Sequence, residues 1–324
     1  MESSLALKEF RSALKTKKGV DYQACKIVEV APYLEYSEKL VALMDEALPT
    51  VDPLTQVAIM DAYYQVSKEK FHEQDLIDMM SAAEKMGDAG EALYMAARVA
   101  LGNLTGLVGD KADRWGDGEI EITARAVRKR GPGTFATVDH ITVIIHGTWA
   151  SNGKWWRPGG DFFEYVKTDL NRPDIYEKSD RFRWSGKNRD GVRRNAAKAL
   201  NKWLRTHPAR EVNVFAHSHG ANIAMMATKE GIEIDRLVML SPPVRKDYFA
   251  DWKKVKKAYN IQASFDPVVA IAWGGQWFNP AGTKKSKMVP VIEKMMKASG
   301  HSASHEPGVW KKENLPGFVG MPWK

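Results

Sequence analysis

The sequence predicts an α/β protein: a mainly parallel sheet with helices on both faces, preceded by an all-helical N-terminal domain. Three observations carry that expectation. From about residue 135 onward, short apolar runs alternate with helical stretches, which implies strands joined by helical crossovers. Before about residue 115 the apolar residues keep helical spacing and no strand pattern occurs. Between the two lies Gly116-Asp117-Gly118, a join that divides the chain into residues 1–117 and 118–324. A chain of 324 residues has room for both parts.

In the first part, Leu7, Phe10 and Leu14 fall on one helical face. Asp52-Pro53 opens a helix towards Val66: a capping carboxylate, then a proline whose missing N–H would be unpaired anyway. A further helix is expected from Asp75 to Met86, with Gly87 as its C-cap. The stretch Ala92 to Val108 is weakly polar. It carries Arg98, Asn103 and Thr105 and falls short of the ~20 apolar residues of a membrane span, so it reads as a buried helix or helix pair. The whole part reads either as a small helical bundle or as a module that docks a protein partner.

In the second part, Ile120, Ile122, Ala124 and Ala126 alternate with polar residues, the pattern of a half-exposed strand. A basic cluster, Arg128-Lys129-Arg130, and a Gly131-Pro132-Gly133 loop lead to a buried strand ending at Ile145. Asp161 to Leu170 is expected to be helical, Arg181 to Trp184 a short strand, and Gly191 to Thr206 a long helix with a basic outer face of Arg193, Arg194, Lys198 and Lys202. Strands follow at Glu211–His217, from Asp235, and at Ala258–Ser264. A last strand at 288–292 carries Pro290, which confines it towards an edge.

The composition narrows the function. Net charge is +8, yet no nucleic-acid motif or interleaved basic-aromatic stripe occurs; contact with an anionic membrane surface is the partner this charge suits, beside a merely solvated surface. One cysteine, Cys25, excludes an intrachain disulfide and fits a reducing compartment. No basic segment followed by an apolar core opens the chain, so a cytoplasmic location or export without a cleavable signal is expected. No His/Cys/Asp ligand cluster calls for a metal, and no cofactor is implied.

The chemistry is concentrated in Ala216-His217-Ser218-His219-Gly220, set between the Glu211–His217 strand and a small-residue helix, Ala221 to Thr228. A serine on such a turn is lifted above the sheet as a nucleophile. The segment resembles the nucleophile elbow of the α/β-hydrolases, with Ala216 in place of the usual first glycine, as in the small Bacillus lipases. Residues 135 to 320 resemble bacterial lipases and esterases of that superfamily. The resemblance implies a Ser-His-Asp triad in the chain order nucleophile, acid, histidine. Ser218 is the nucleophile and Asp266, beyond the end of the Ala258–Ser264 strand, the acid; Asp251 reads as helical, and Asp235 lies at the wrong end of a strand. His301, in Gly300-His301, is the base, with His305 as the alternative. The oxyanion donors are the amides of Thr148, in His146-Gly147-Thr148-Trp149, and of His219. His146 is expected to brace its loop.

Two aromatic segments flank these residues. Trp149, Trp155 and Trp156 follow the oxyanion loop, and Trp273 and Trp277 follow the acid, with Gly274 and Gly275 as hinge residues of a lid. Trp149, Trp155, Trp273 and Trp277 are the candidate substrate-binding residues. The implied activity is hydrolysis of ester-linked acyl chains, as in a lipase or phospholipase. The alternatives are a soluble carboxylesterase or thioesterase, or an idle hydrolase-fold adaptor that binds a protein through its helical half.

Overall fold

The computed structural model describes residues 3–31, 34, 36–86, 90–105, 137–245, 248–264, 266, 268, 276–277 and 291–323. They group into two compact units, one of Met1–Ala112 with Phe265–Gly274, the other of Asp113–Ser264 with Gly275–Lys324. The expected strand at 120–126, the glycine join, the basic cluster at 128–130 and Gly87 lie outside the described residues.

The first unit contains helices α1 (Ser3–Thr16), α2 (Val20–Val30), α3 (Glu38–Ala47), α4 (Pro53–Ser67), α5 (Glu73–Lys85) and α6 (Glu91–Thr105). Asp52 caps α4 as the sequence requires, its Oδ1 accepting from the amides of Leu54 and Thr55 at 3.1 Å each. Ser37 caps α3 in the same way. Helix α1 buries Ala6, Phe10 and Ala13 on one stripe. Helix α4 is buried on most of its circumference, against α2 and α6, so it is the core of the unit. That explains why its pattern is apolar all round rather than amphipathic. Asp61 of α4 is fully buried; Asn103 donates to both its oxygens at 3.2 Å, and Gln65 donates at 3.4 Å. Burial nevertheless pushes its carboxyl up to about 7. The stretch at 92–108 is a buried helix as far as it is described, and no described helix is long and apolar enough to cross a membrane.

The second unit is a five-stranded parallel sheet: β1 (Val138–Ile145), β2 (Ala209–His217), β3 (Ile234–Leu240), β5 (Val255–Gln262) and β7 (Val291–Met295), in the order β1-β2-β3-β5-β7. Strands β4 (Val244–Arg245) and β6 (Gln276–Trp277) make a separate antiparallel pair. Successive side chains leave opposite faces of a strand, so both faces of this sheet need an apolar cover. Ile141, Val143, Ile145, Val214, Ala216, Leu237 and Met239 pack on one side with α8 (Asp190–Thr206) and α9 (His219–Lys229). Ile144, Phe215, Val238, Leu240, Tyr259 and Ile261 pack on the other with α7 (Asp161–Thr168) and Trp310, Leu315 and Val319 near the C-terminus. The near-continuous apolar runs of the sequence are the result.

Three expectations need correction. Residues 181–184 are extended but form no strand; Phe182 and Trp184 enter the core while Arg181 and Arg183 face outward, which imitates a strand's alternation without a ladder partner. The last strand is described over Val291–Met295; residues 288–290 of the expected strand lie outside the described residues. Arg193 of α8 does not belong to the basic outer face. It is buried, donating to Asn188 and Asp190 at 2.7 and 2.6 Å and to Tyr248 at 3.3 Å. Asp251 precedes a short 3₁₀ turn, Trp252–Lys254, and caps it rather than lying in a helix. Asp235 behaves as expected at the amino end of β3, where it accepts from Val212 N at 2.8 Å and pairs with Lys256.

Near the C-terminus, Trp323 stacks on Phe215 with ring centroids 5.7 Å apart. The guanidinium groups of Arg172 and Arg236 lie 5.2 and 5.1 Å from its ring centre, and its Nε1 donates to Val319 O.

Candidate active site

Strand β2 is buried from Asn213 to His217 and ends at Ser218, whose φ and ψ are 52° and −130°. That combination is strongly disfavoured for any residue with a Cβ and costs ~1–3 kcal/mol, so the surroundings must hold it. They do so from both sides. Ser218 N donates to Leu240 O at 2.8 Å, tying the turn to the end of β3, and Ala221 N donates to Ser218 O at 3.0 Å as α9 starts. Glycine at 220 is a packing requirement, since a Cβ there would lie 2.5 Å from Ile145 O and 2.6 Å from His146 O. Helix α9 can begin against the end of β1 only with no side chain at that point.

The loop after β1 reaches the serine directly. A Cβ on Gly147 would lie 2.7 Å from Ser218 Cβ and 3.3 Å from its Oγ. Thr148 follows, buried, with no hydrogen-bond partner for Oγ1 among the described residues. Trp149 then turns the chain away with φ 59°, its N–H donating to Gly186 O at 2.8 Å; it is half-buried. His219 is buried on the other side of the serine, its Nδ1 2.9 Å from Asn222 Nδ2, which also donates to Pro243 O at 2.8 Å. With the Asn222 amide oriented in that way, Nδ1 is an acceptor and the ring is the neutral Nε2–H form.

Further contacts join the late histidine loop to this turn and its surroundings. His301 is fully buried and begins a 3₁₀ turn, His301–His305, after Gly300 at φ 98°. Its carbonyl accepts from His217 Nε2 at 3.2 Å and from Ser304 Oγ at 3.5 Å. Ser304 Oγ in turn receives Ser241 Oγ at 3.0 Å, from the residue just past β3. The ring of His217 lies 4.6 Å from that of His301 and 4.6 Å from that of His305. His305 stacks on Trp155 with centroids 4.0 Å apart and planes 9° apart. Trp155 and Trp156 are therefore core residues beneath the site rather than tips of an open loop.

Electrostatically, burial keeps the imidazoles of His217, His305 and His146 neutral. Burial holds His217 well below the usual imidazole range, reinforced by His305 and His301. Burial also lowers His305 to about 3 and His146 to about 4. His146 is the brace the sequence suggests: Nδ1 lies 2.8 Å from Gly147 O, Nε2 lies 3.2 Å from Trp184 O, and Trp184 Nε1 donates back to His146 O at 2.9 Å. Its ring sits 4.5 Å from Trp156 and 5.5 Å from Trp184.

The second unit thus brings Ser218, Gly147, His217, His301, His305 and Trp155 into one connected set. Asp266 groups with the first unit; it is buried there, and its charge helps raise the Cys25 thiol, behind burial itself and the charges of Asp61 and Asp21. Two residues before it, Ser264 N donates to Ala298 O at 2.9 Å in the second unit. Trp273, Gly274 and Gly275 lie outside the described residues, and Trp277 is described only as a strand residue opposite Val244. Sequence reasoning did not reach His217 as the residue that grips the His301 carbonyl, nor the Ser241–Ser304 link. The one available signal was polarity: a histidine and a serine at the ends of otherwise apolar strands. Among the described residues no His, Cys, Asp or Glu group is arranged to hold a metal.

No protein-family model matches the chain, and no curated protein matches it. Solved structures do show likeness. An uncharacterized protein from Bacillus cereus is 13% identical, over 99% of this chain and 99% of that one, with a TM-score of 0.35. The type II thioesterase BorB of the borrelidin biosynthetic cluster is 14% identical over 58% of this chain and 92% of its own, with a TM-score of 0.32. A protein of unknown function from Agrobacterium tumefaciens, provisionally grouped with the α/β hydrolases, is 16% identical over 58% of this chain and 89% of its own, with a TM-score of 0.37. At these TM-scores the likenesses carry no weight for function. The chain's own architecture is the firmer ground: an α/β fold of five parallel strands, with a serine on a strained turn between strand and helix and a glycine loop seated against that serine.

Proposed function

We propose that the chain is a serine hydrolase that cleaves ester-linked acyl chains, of the lipase or phospholipase kind, through an acyl-enzyme. The observation that carries the reading is the approach of Gly147 to Ser218 on its strained turn. Strain that is costly to keep points to a reacting group. Ser218 Oγ attacks the acyl carbonyl while His301 takes its proton and returns it to the leaving alcohol; water then releases the acyl group by the reverse roles. The amides of Thr148 and His219 receive the oxyanion, a contribution of roughly 3 kcal/mol per donor in acyl transfer. Asp266 is the proposed partner that fixes the imidazole tautomer. Trp149, Trp273 and Trp277 are the proposed apolar contacts of the acyl chain, and the positive surface is the proposed contact with anionic membrane.

The test is covalent labelling with a fluorophosphonate together with hydrolysis of p-nitrophenyl butyrate. Ser218→Ala is expected to abolish both, and His301→Gln to reduce both at least a hundredfold. His305→Gln serves as the rival: a greater loss there than at His301 transfers the base to His305. Undiminished hydrolysis by folded Ser218→Ala protein overturns the reading and leaves the idle-adaptor alternative.

A further inference from the structure

We propose that Arg157, Arg181 and Arg183 form a binding site for a phosphate group of the acyl substrate, beside the loop that abuts Ser218. The inference rests on the acyl-hydrolase reading above and names its substrate class.

Three features of the second unit converge on this place. First, the two tryptophans that enclose the His146 ring, Trp156 and Trp184, each adjoin an arginine in sequence, Arg157 and Arg183. Arg157 lies over the Trp156 ring, 5.0 Å from its centre, and its guanidinium donates to Ser151 O within the same loop. His146 immediately precedes Gly147, so the arginines flank the segment that touches the serine. Secondly, the extended run 181–184 turns Phe182 and Trp184 into the core, which leaves Arg181 and Arg183 together on the outward side. Thirdly, no carboxylate neutralises that pair among the described residues. The neighbouring Asp180 is engaged elsewhere, by Tyr176 OH at 2.8 Å and by His207. Arg181 Nη1 donates to Lys178 O at 3.1 Å, but its Nε is buried with no hydrogen-bond partner. The positive charges of Arg183 and Arg157 both act on Arg181, which burial and that repulsion together hold below the usual guanidinium range.

Arg181 and Arg183, held together with no carboxylate beside them among the described residues, repel each other at a free-energy cost that an anion recovers on binding. Guanidinium forks match phosphate oxygens in bidentate geometry, and charge-assisted bonds of this kind are the strong ones. The ligand chemistry is therefore a phosphate mono- or diester attached to the acyl group. It could come from a lipid headgroup or from a soluble phosphorylated acyl carrier.

The experiment has a binding arm and a kinetic arm. In the first, Ser218→Ala protein is titrated with inorganic pyrophosphate by calorimetry, alone and with Arg181→Gln/Arg183→Gln. The double substitution is expected to weaken binding at least tenfold, with Arg→Lys at both positions recovering part of it. In the second, kcat/KM is measured on phosphatidylglycerol vesicles and on octanoyl-CoA, each as a ratio to a neutral diacylglycerol. The ratio is expected to fall at least tenfold in the double variant for one of the two anionic substrates, and that substrate identifies the source. Lys202→Gln, on the exposed face of α8, is expected to leave both ratios within twofold. Pyrophosphate binding that ignores the two arginines, or ratios that do not change for either substrate, overturns the proposal. Absent hydrolysis of every ester with pyrophosphate binding still dependent on Arg181 and Arg183 would sink the acyl-hydrolase reading and retain the anion site.

Discussion

Gly147→Ala separates catalysis from folding. The position lacks the positive φ that would make any side chain intolerable, so alanine is excluded by neighbours alone. The added methyl would lie 2.7 Å from Ser218 Cβ, 3.2 Å from His217 Nδ1 and 3.3 Å from Ser218 Oγ. Ordinary carbon–carbon contact is at about 3.5–4.0 Å, so the loop or the serine must yield by roughly an ångström. Overpacking of this kind costs about 1–3 kcal/mol of stability. Activity should suffer more, because a displacement of ~1 Å between reacting groups is worth about a hundredfold in rate. The expected result is folded protein with kcat/KM on p-nitrophenyl butyrate down at least a hundredfold and fluorophosphonate labelling slowed in parallel. Thermal unfolding measured on the same preparation separates the two effects. Wild-type kinetics, within a factor of two, would show that Gly147 does not adjoin the reacting hydroxyl. Gly220→Ala makes the contrast: its methyl would meet two backbone carbonyls at 2.5 and 2.6 Å, so that variant should lose the fold as well as the rate.

Three other outcomes are expected. His146, His217 and His305 are held neutral by burial, so unfolding lets each take up a proton below pH ~6.5; stability should rise with pH to that point and fall on acidification, at about 4 kcal/mol per pH unit near pH 5 if all three act. Denaturant midpoints unchanged between pH 7 and pH 5 would contradict the buried neutral cluster. Asp61 has the opposite sign, because its carboxyl is raised from 3.8 to about 7: the native state holds the extra proton, and stability falls by up to about 1.4 kcal/mol per unit between pH ~4 and ~7. Asp61→Asn should remove that slope, read by hydrogen exchange of the α4 amides in the full chain; a slope that persists assigns it to another group. Arg193→Met should cost about 2 kcal/mol in urea unfolding, by leaving Asp190 and Tyr248 without their guanidinium partner; a change under ~0.5 kcal/mol would show the cluster to be dispensable.

The sheet was legible because parallel strands covered on both faces are apolar on both, a constraint that Val143–Ile145 and Val214–Ala216 display without ambiguity. What misled was alternation. Residues 181–184 alternate because the chain lies flat on a core, and only a ladder partner, which local sequence cannot show, would make a strand of them. Arg193 looked like one of a row of exposed cations; whether a guanidinium faces water or a distant Asp190–Tyr248 pair is decided by residues as far away as position 248. Ser218 and Gly147 were readable because steric demands at a sharp turn fix residue type locally. The grip of His217 on the His301 carbonyl spans 84 positions and has no local signature.

The indole of Trp323, laid on Phe215 with the guanidinium groups of Arg172 and Arg236 over its ring, is a wedge under the strand that ends at Ser218. Phe215 stands only three residues from Ser218. Trimming the last few residues, or fusing a bulky tag that pulls them out, should therefore be felt at the far end of β2 as a loosened turn.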